Sequence, residues 1–154
     1  MTILLTGGTG KTANRLSSLL LSAKIPYILT SRRASPIPIS TSPPNPTIHF
    51  DWNNPSTWHN PFTHTTATDS AITAIYLVSG DLACPAPVLN AFIEFGRAEY
   101  GVKRFVLCSG SSVVKGGEYH GEVWERLEDD GGLEWCVLRP SWFMGMFFSF
   151  LFFF

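Results

Sequence analysis

The run Thr6-Gly7-Gly8-Thr9-Gly10-Lys11-Thr12-Ala13 directly follows the apolar stretch Ile3-Leu4-Leu5 and reads as G-x-x-G-x-x-A on Gly7, Gly10 and Ala13. Small residues at that spacing let a strand turn sharply into a helix and let the backbone come close to a pyrophosphate. The unpaired N–H groups and the dipole of the helix start then attract phosphate, with Gly8, Lys11 and the hydroxyls of Thr9 and Thr12 beside them. An ordinary Gly-rich turn would use the same residues. The strand–turn–helix context favours a dinucleotide cradle. A P-loop is excluded, because no G-x-x-x-x-G-K-[ST] spacing occurs.

Three further sets of residues bear on the same site. A site for NAD places Asp or Glu at the end of the second strand, where it binds the ribose 2′-OH. This chain has Thr30-Ser31-Arg32-Arg33 there instead. A hydroxyl and two guanidiniums would bind a 2′-phosphate that a carboxylate would repel, so Ser31, Arg32 and Arg33 point to NADP(H), Arg32 more than Arg33. Solvated surface arginines are the competing explanation. Asp51, in Phe50-Asp51-Trp52 after the third strand, could accept from the adenine amino group or simply shape a turn before Asn53-Asn54-Pro55. Ser79 and Ser109 close the fourth and fifth strands, the ends where a cofactor's reacting ring lies, although Ser-Gly runs are also plain turns.

The remaining reactive residues form no pattern. His49, His59, His64 and His120 lack metal-ligand spacing and carboxylate partners, so no metal is expected. Glu122, Glu125, Glu128, Asp129 and Asp130 read as a solvated helix face, and Trp135, Trp142 and Phe143 as core. Cys84, Cys108 and Cys136 are odd in number and show no CxxC. Two of them fall in strand-like runs, so buried, reduced thiols in a cytoplasmic protein are expected.

The elements that must carry these residues alternate as in βαβ units. Strands are predicted at residues 3–5, 27–30, 47–50, 74–78, 105–108 and 135–138, mostly apolar at consecutive positions, as strands covered on both faces are. Helices are predicted over 11–23, burying Ala13, Leu16, Leu19, Leu20 and Ala23, over 87–100 starting near Pro87 and burying Val88, Ala91, Phe92 and Phe95, and over 121–130 with Val123 and Leu127 inward. Five prolines between residues 34 and 46 forbid a helix there and give an extended loop. The fold class is therefore α/β, a Rossmann-like doubly wound parallel sheet of about six strands. The 154 residues are 45% hydrophobic and 15% charged with a net charge of -1, which suits one domain and argues against nucleic acid as a partner. No targeting signal precedes the first strand, and no apolar run reaches the roughly 20 residues that cross a bilayer, so no membrane partner is expected.

Taken together, residues 4–13, Phe50-Asp51-Trp52, Ile75-Tyr76-Leu77-Val78, Lys103-Arg104-Phe105-Val106-Leu107 and Leu138-Arg139-Pro140-Ser141-Trp142-Phe143-Met144 make the chain similar to the NmrA-like group of atypical short-chain dehydrogenases. Within that group it resembles the fungal festuclavine/agroclavine dehydrogenases of ergot alkaloid biosynthesis. The resemblance covers nearly the whole chain, to about Met144. It implies NADPH-dependent reduction of an iminium carbon in a clavine formed from chanoclavine-I aldehyde. It also implies an alkaloid substrate and an upstream pathway reductase as a candidate partner. A cationic C=N is already electrophilic and needs no protein acid. In keeping with this, the Tyr-x-x-x-Lys pair of many short-chain reductases is absent, since Tyr119 is followed at i+4 by Val123. No catalytic residue is assigned.

The end departs from the resemblance. Residues 1–144 read as the NAD(P)-binding domain, and 145–154 as an aberrant Phe-rich tail. The related dehydrogenases continue for roughly a hundred residues more, the size of a further domain portion. A translated intron would account for the tail: Gly145-Met146-Phe147 can be encoded by a common fungal 5′ splice signal, and a pyrimidine tract encodes Phe, Ser and Leu. A chain truncated in this way is expected to bind cofactor weakly and to be inactive. The alternatives are an NmrA-like NADP(H)-binding redox sensor without catalysis, and a non-functional fragment.

Overall fold

The computed structural model describes residues 1–8, 10–32, 47–64 and 71–141. Six strands form one parallel sheet: β1 (Thr2–Leu5), β2 (Tyr27–Ser31), β3 (Thr47–His49), β4 (Ile72–Leu77), β5 (Arg104–Cys108) and β6 (Glu134–Leu138). The spatial order is β3-β2-β1-β4-β5-β6. This is the doubly wound arrangement, and it reverses direction between β1 and β4. The helices are α1 (Lys11–Ser22), a four-residue α2 (Asn60–Thr63), α3 (Pro85–Tyr100) and α4 (Gly121–Asp129). Among the described residues no helix is long and apolar enough to cross a membrane. The proline-rich loop and the Phe-rich tail both lie outside the described residues.

Period-two alternation divides the strand side chains between two faces. Leu4, Ile28, Ile75, Leu77, Phe105 and Leu107 join the larger core with α3 and α4. Leu5, Tyr27, Leu29 and Tyr76 join the smaller one beneath α1. On α3 the inward residues are Leu89, Phe92, Ile93 and Gly96, while Ala91 is exposed and Val88 and Phe95 are partly buried. The helix begins at Pro85 rather than Pro87, because neither proline's missing N–H is needed in a first turn. On α1 the buried stripe is Ala13, Ser17 and Leu20, with Leu16 partly buried. Leu19 and Ala23 do not join it: Leu19 projects to solvent at 68% exposure, since two steps of 100° past the buried Ser17 turn it off the sheet.

Two expectations fail at the sheet edge. Among the described residues β6 has one neighbouring strand and is largely exposed, so Trp135 is not core and Cys136 is not buried. Cys108 is only half-buried and Cys84 is exposed at the entry to α3. All three are free thiols. Apolar runs therefore marked the strands correctly but did not distinguish an edge strand from an enclosed one.

Candidate functional site

The carboxyl ends of β2, β1 and β4 lie side by side, and the loops leaving them meet. Thr6 binds the β1 and β4 ends together. Its N–H and Oγ1 donate to the Tyr76 carbonyl at 3.0 and 2.8 Å, and its Oγ1 accepts from Val78 N–H at 2.8 Å. The chain then turns at Gly7 with φ +67°, a left-handed conformation that disfavours any residue with a Cβ. Gly8 donates to the Thr30 carbonyl at 2.8 Å, and a Cβ there would sit 2.7 Å from that same oxygen. The missing side chain is what lets the loop lie against β2. Gly10 is the N-cap of α1, and no side chain caps the helix. The amides of its first turn, which have no partner within the helix, are left available to an anion.

A cleft of about 270 Å³ opens above these strand ends, with Gly7, Gly10, Ser31, Arg32, Asp51 and Ser79 on its walls. That volume is just under the roughly 300 Å³ at which small-molecule sites begin, so it suits one nucleoside end of a dinucleotide. Asp51 both faces the cleft and makes a turn, its Oδ1 accepting from Asn53 N–H at 3.0 Å. Its backbone is fixed by Thr57, whose Oγ1 accepts from Asp51 N–H at 2.9 Å. Trp52 donates from Nε1 to the Val78 carbonyl at 3.0 Å and so anchors the β4 end. Arg32 pairs with Asp81 at 3.3 Å across the cleft mouth.

Six of the residues singled out from sequence thus share one cavity, while Gly8, Lys11, Thr12 and Ser109 are not among its lining residues. Gly8 backs the cleft rather than lining it. Lys11 is exposed at the helix start, and Thr12 turns toward the sheet to hydrogen-bond Tyr76. Ser109 ends β5, one strand beyond β4, and its Oγ is buried without a hydrogen-bond partner among the described residues. Thr9 and Arg33 lie outside the described residues.

His120 was missed by sequence reasoning. Its Nε2 lies 2.9 Å from Ser79 Oγ, both side chains are buried, and burial lowers the histidine pKa, favouring the neutral ring. No spacing rule could find a pair 41 residues apart that meets only when the N-cap of α4 folds over the end of β4. Tyr76, beneath α1, has its phenol pushed up to about 12, first by burial and then by its hydrogen bond to Cys108. Among the described residues no group of three or more His, Cys, Asp or Glu could hold a metal ion.

With this geometry in place, the chain can be set beside known proteins. No protein-family model matches it. It is 42% identical over 145 residues, 94% of its own length, to festuclavine synthase II of Penicillium roqueforti. It is 40% identical over 147 residues, 96% of its length, to agroclavine dehydrogenase of Claviceps fusiformis. The chain is a homologue of the festuclavine and agroclavine dehydrogenases. It spans about half of these relatives, 48% in each case. Among solved structures, the NADPH-dependent quinone oxidoreductase QOR2 of Escherichia coli, crystallised with NADPH, superposes with a TM-score of 0.71 at 17% identity. That match covers 96% of this chain and 51% of the other, and it shows that the festuclavine and agroclavine dehydrogenase homologue has a Rossmann-like fold.

Proposed function

We propose that this chain binds NADP(H) and forms the cofactor-binding part of an oxidoreductase of ergot alkaloid metabolism. On this reading the reaction is reduction of the iminium carbon of a clavine derived from chanoclavine-I aldehyde, giving festuclavine or agroclavine. The observation that carries it is the cleft itself: an uncapped helix start and a Gly7–Gly10 turn on one side, and Arg32 rather than a carboxylate at the end of β2. The festuclavine and agroclavine names of relatives at 40–42% identity support the substrate class.

Each group has a part in this assignment. The first-turn amides at Lys11 and Thr12, with Thr9, would hold the pyrophosphate. Ser31, Arg32 and Arg33 would hold the 2′-phosphate, Asp51 the adenine, and Ser79 and Ser109 would border the nicotinamide end. When bound, the nicotinamide supplies hydride. An iminium carbon is electrophilic without protonation, so the chain's task is to orient and enclose rather than to donate a proton. Burial that favours the neutral form of His120 beside Ser79 agrees with this, because an imidazolium there would repel a cationic substrate.

Titrating the protein with NADPH and NADH, followed by nucleotide fluorescence, tests the cofactor. NADPH should bind more tightly, and Arg32→Ala should weaken NADPH roughly 10- to 100-fold while changing NADH little. Equal or tighter binding of NADH would sink the cofactor assignment. Absence of clavine-iminium turnover by a full-length homologue carrying this cleft would sink the reaction.

A further inference from the structure

The carboxylate at the cleft mouth has no place in the assignment above. Arg32 leaves the end of β2 and Asp81 follows the end of β4, with β1 and its glycine turn between them. Both residues line the same cavity. The residues just before them are held: Ser31 by the β2–β3 register, the Val78 carbonyl by Trp52 Nε1, and the Ser79 hydroxyl by His120. Their charged ends are open to solvent, at 69% and 86% exposure. Two neighbouring strand ends therefore carry exposed, oppositely charged tips that pair at the mouth of the cavity lined by Gly7.

We propose that Asp81 is a specificity-determining residue of this cleft: it holds the Arg32 guanidinium across the mouth, and a 2′-phosphate must displace it. The inference rests on the assignment of Arg32 to that phosphate. Asp81 opposes the phosphate in two ways. It occupies guanidinium donors that the phosphate needs, and after displacement it remains a like charge close by. Because the pair is bathed in water, exchanging one acceptor for another carries little desolvation cost. A nucleotide with a free 2′-OH can leave the pair intact. Asp81 therefore narrows the preference for NADP(H) over NAD(H) below what Arg32 alone would give.

The test is equilibrium binding of 2′,5′-ADP and 5′-AMP to the 154-residue chain, which differ only by the 2′-phosphate. The ratio of their dissociation constants isolates the phosphate, and 5′-AMP binding reports an intact cleft. Asp81→Asn and Asp81→Ala should each raise the preference for 2′,5′-ADP roughly three- to tenfold. In an Arg32→Ala background the same changes should have a much smaller effect. An unchanged or reduced preference in both Asp81 variants, with Arg32→Ala still lowering it, overturns the role of Asp81 alone. If Arg32→Ala leaves the preference unchanged, or the wild-type chain binds neither nucleotide, the cofactor assignment fails and this inference with it.

Discussion

The two faces of the sheet are filled differently. Under α3 and α4, Phe92 is fully buried amid a nest of aromatic rings, with Phe50, Trp52 and Trp58 edge-on at centroid distances of 5.2, 5.2 and 5.4 Å. On the other face, α1 is the helix that packs against the strands among the described residues. A cavity of about 290 Å³ remains there, bordered by Ile3, Leu16, Leu20, Tyr76, Val106 and Leu138. The closed face is the platform. It holds Trp52 and the β4 end in place, and so fixes the cleft. The half-open face tolerates a weakly acidic phenol and a thiol side by side.

Equal chemical insults on the two faces should therefore have unequal effects. Phe92→Ala should be the most damaging, lowering unfolding free energy by about 3–5 kcal/mol in chemical denaturation, because the three rings packed edge-on around it cannot collapse into the space. A smaller loss would mean that the aromatic nest is loose. The next effect is alkaline. The folded Tyr76 phenol holds its proton up to about 12 against an ordinary 10.0, so its stabilisation is full below about pH 10 and falls as pH climbs toward 12. Denaturation midpoints compared between wild type and Tyr76→Phe should diverge in that window by roughly 1–2 kcal/mol, reduced by solvent screening on this face. Curves that stay parallel would place Tyr76 in a wetter setting than the structure gives it. Val106→Ala, on the half-open face, should cost less than about 1 kcal/mol. A loss rivalling that of Phe92→Ala would erase the distinction between the faces.

Much of this was legible in the residues. The six strand centres and the order of elements follow from apolar runs and breakers. The glycine turn was legible for the same reason. Gly7 needs a left-handed backbone and Gly8 a close approach to Thr30, and few residues other than glycine meet those conditions. Apolar runs did not show which strand is an edge, so Cys136 and Trp135 were expected inside and lie at the surface. Helix phase was also only approximate, because Leu19 and Leu20 are equally apolar and packing alone separates them.

The sequence by itself determined a Rossmann-like order of elements and a turn suited to phosphate, since both are local consequences of residue type and spacing. Tertiary structure decided which polar residues meet. Arg32 faces Asp81, His120 holds Ser79, and Thr12 turns from the cleft to Tyr76. These partners stand far apart along the chain. They come together only because neighbours in a doubly wound sheet are not neighbours in sequence.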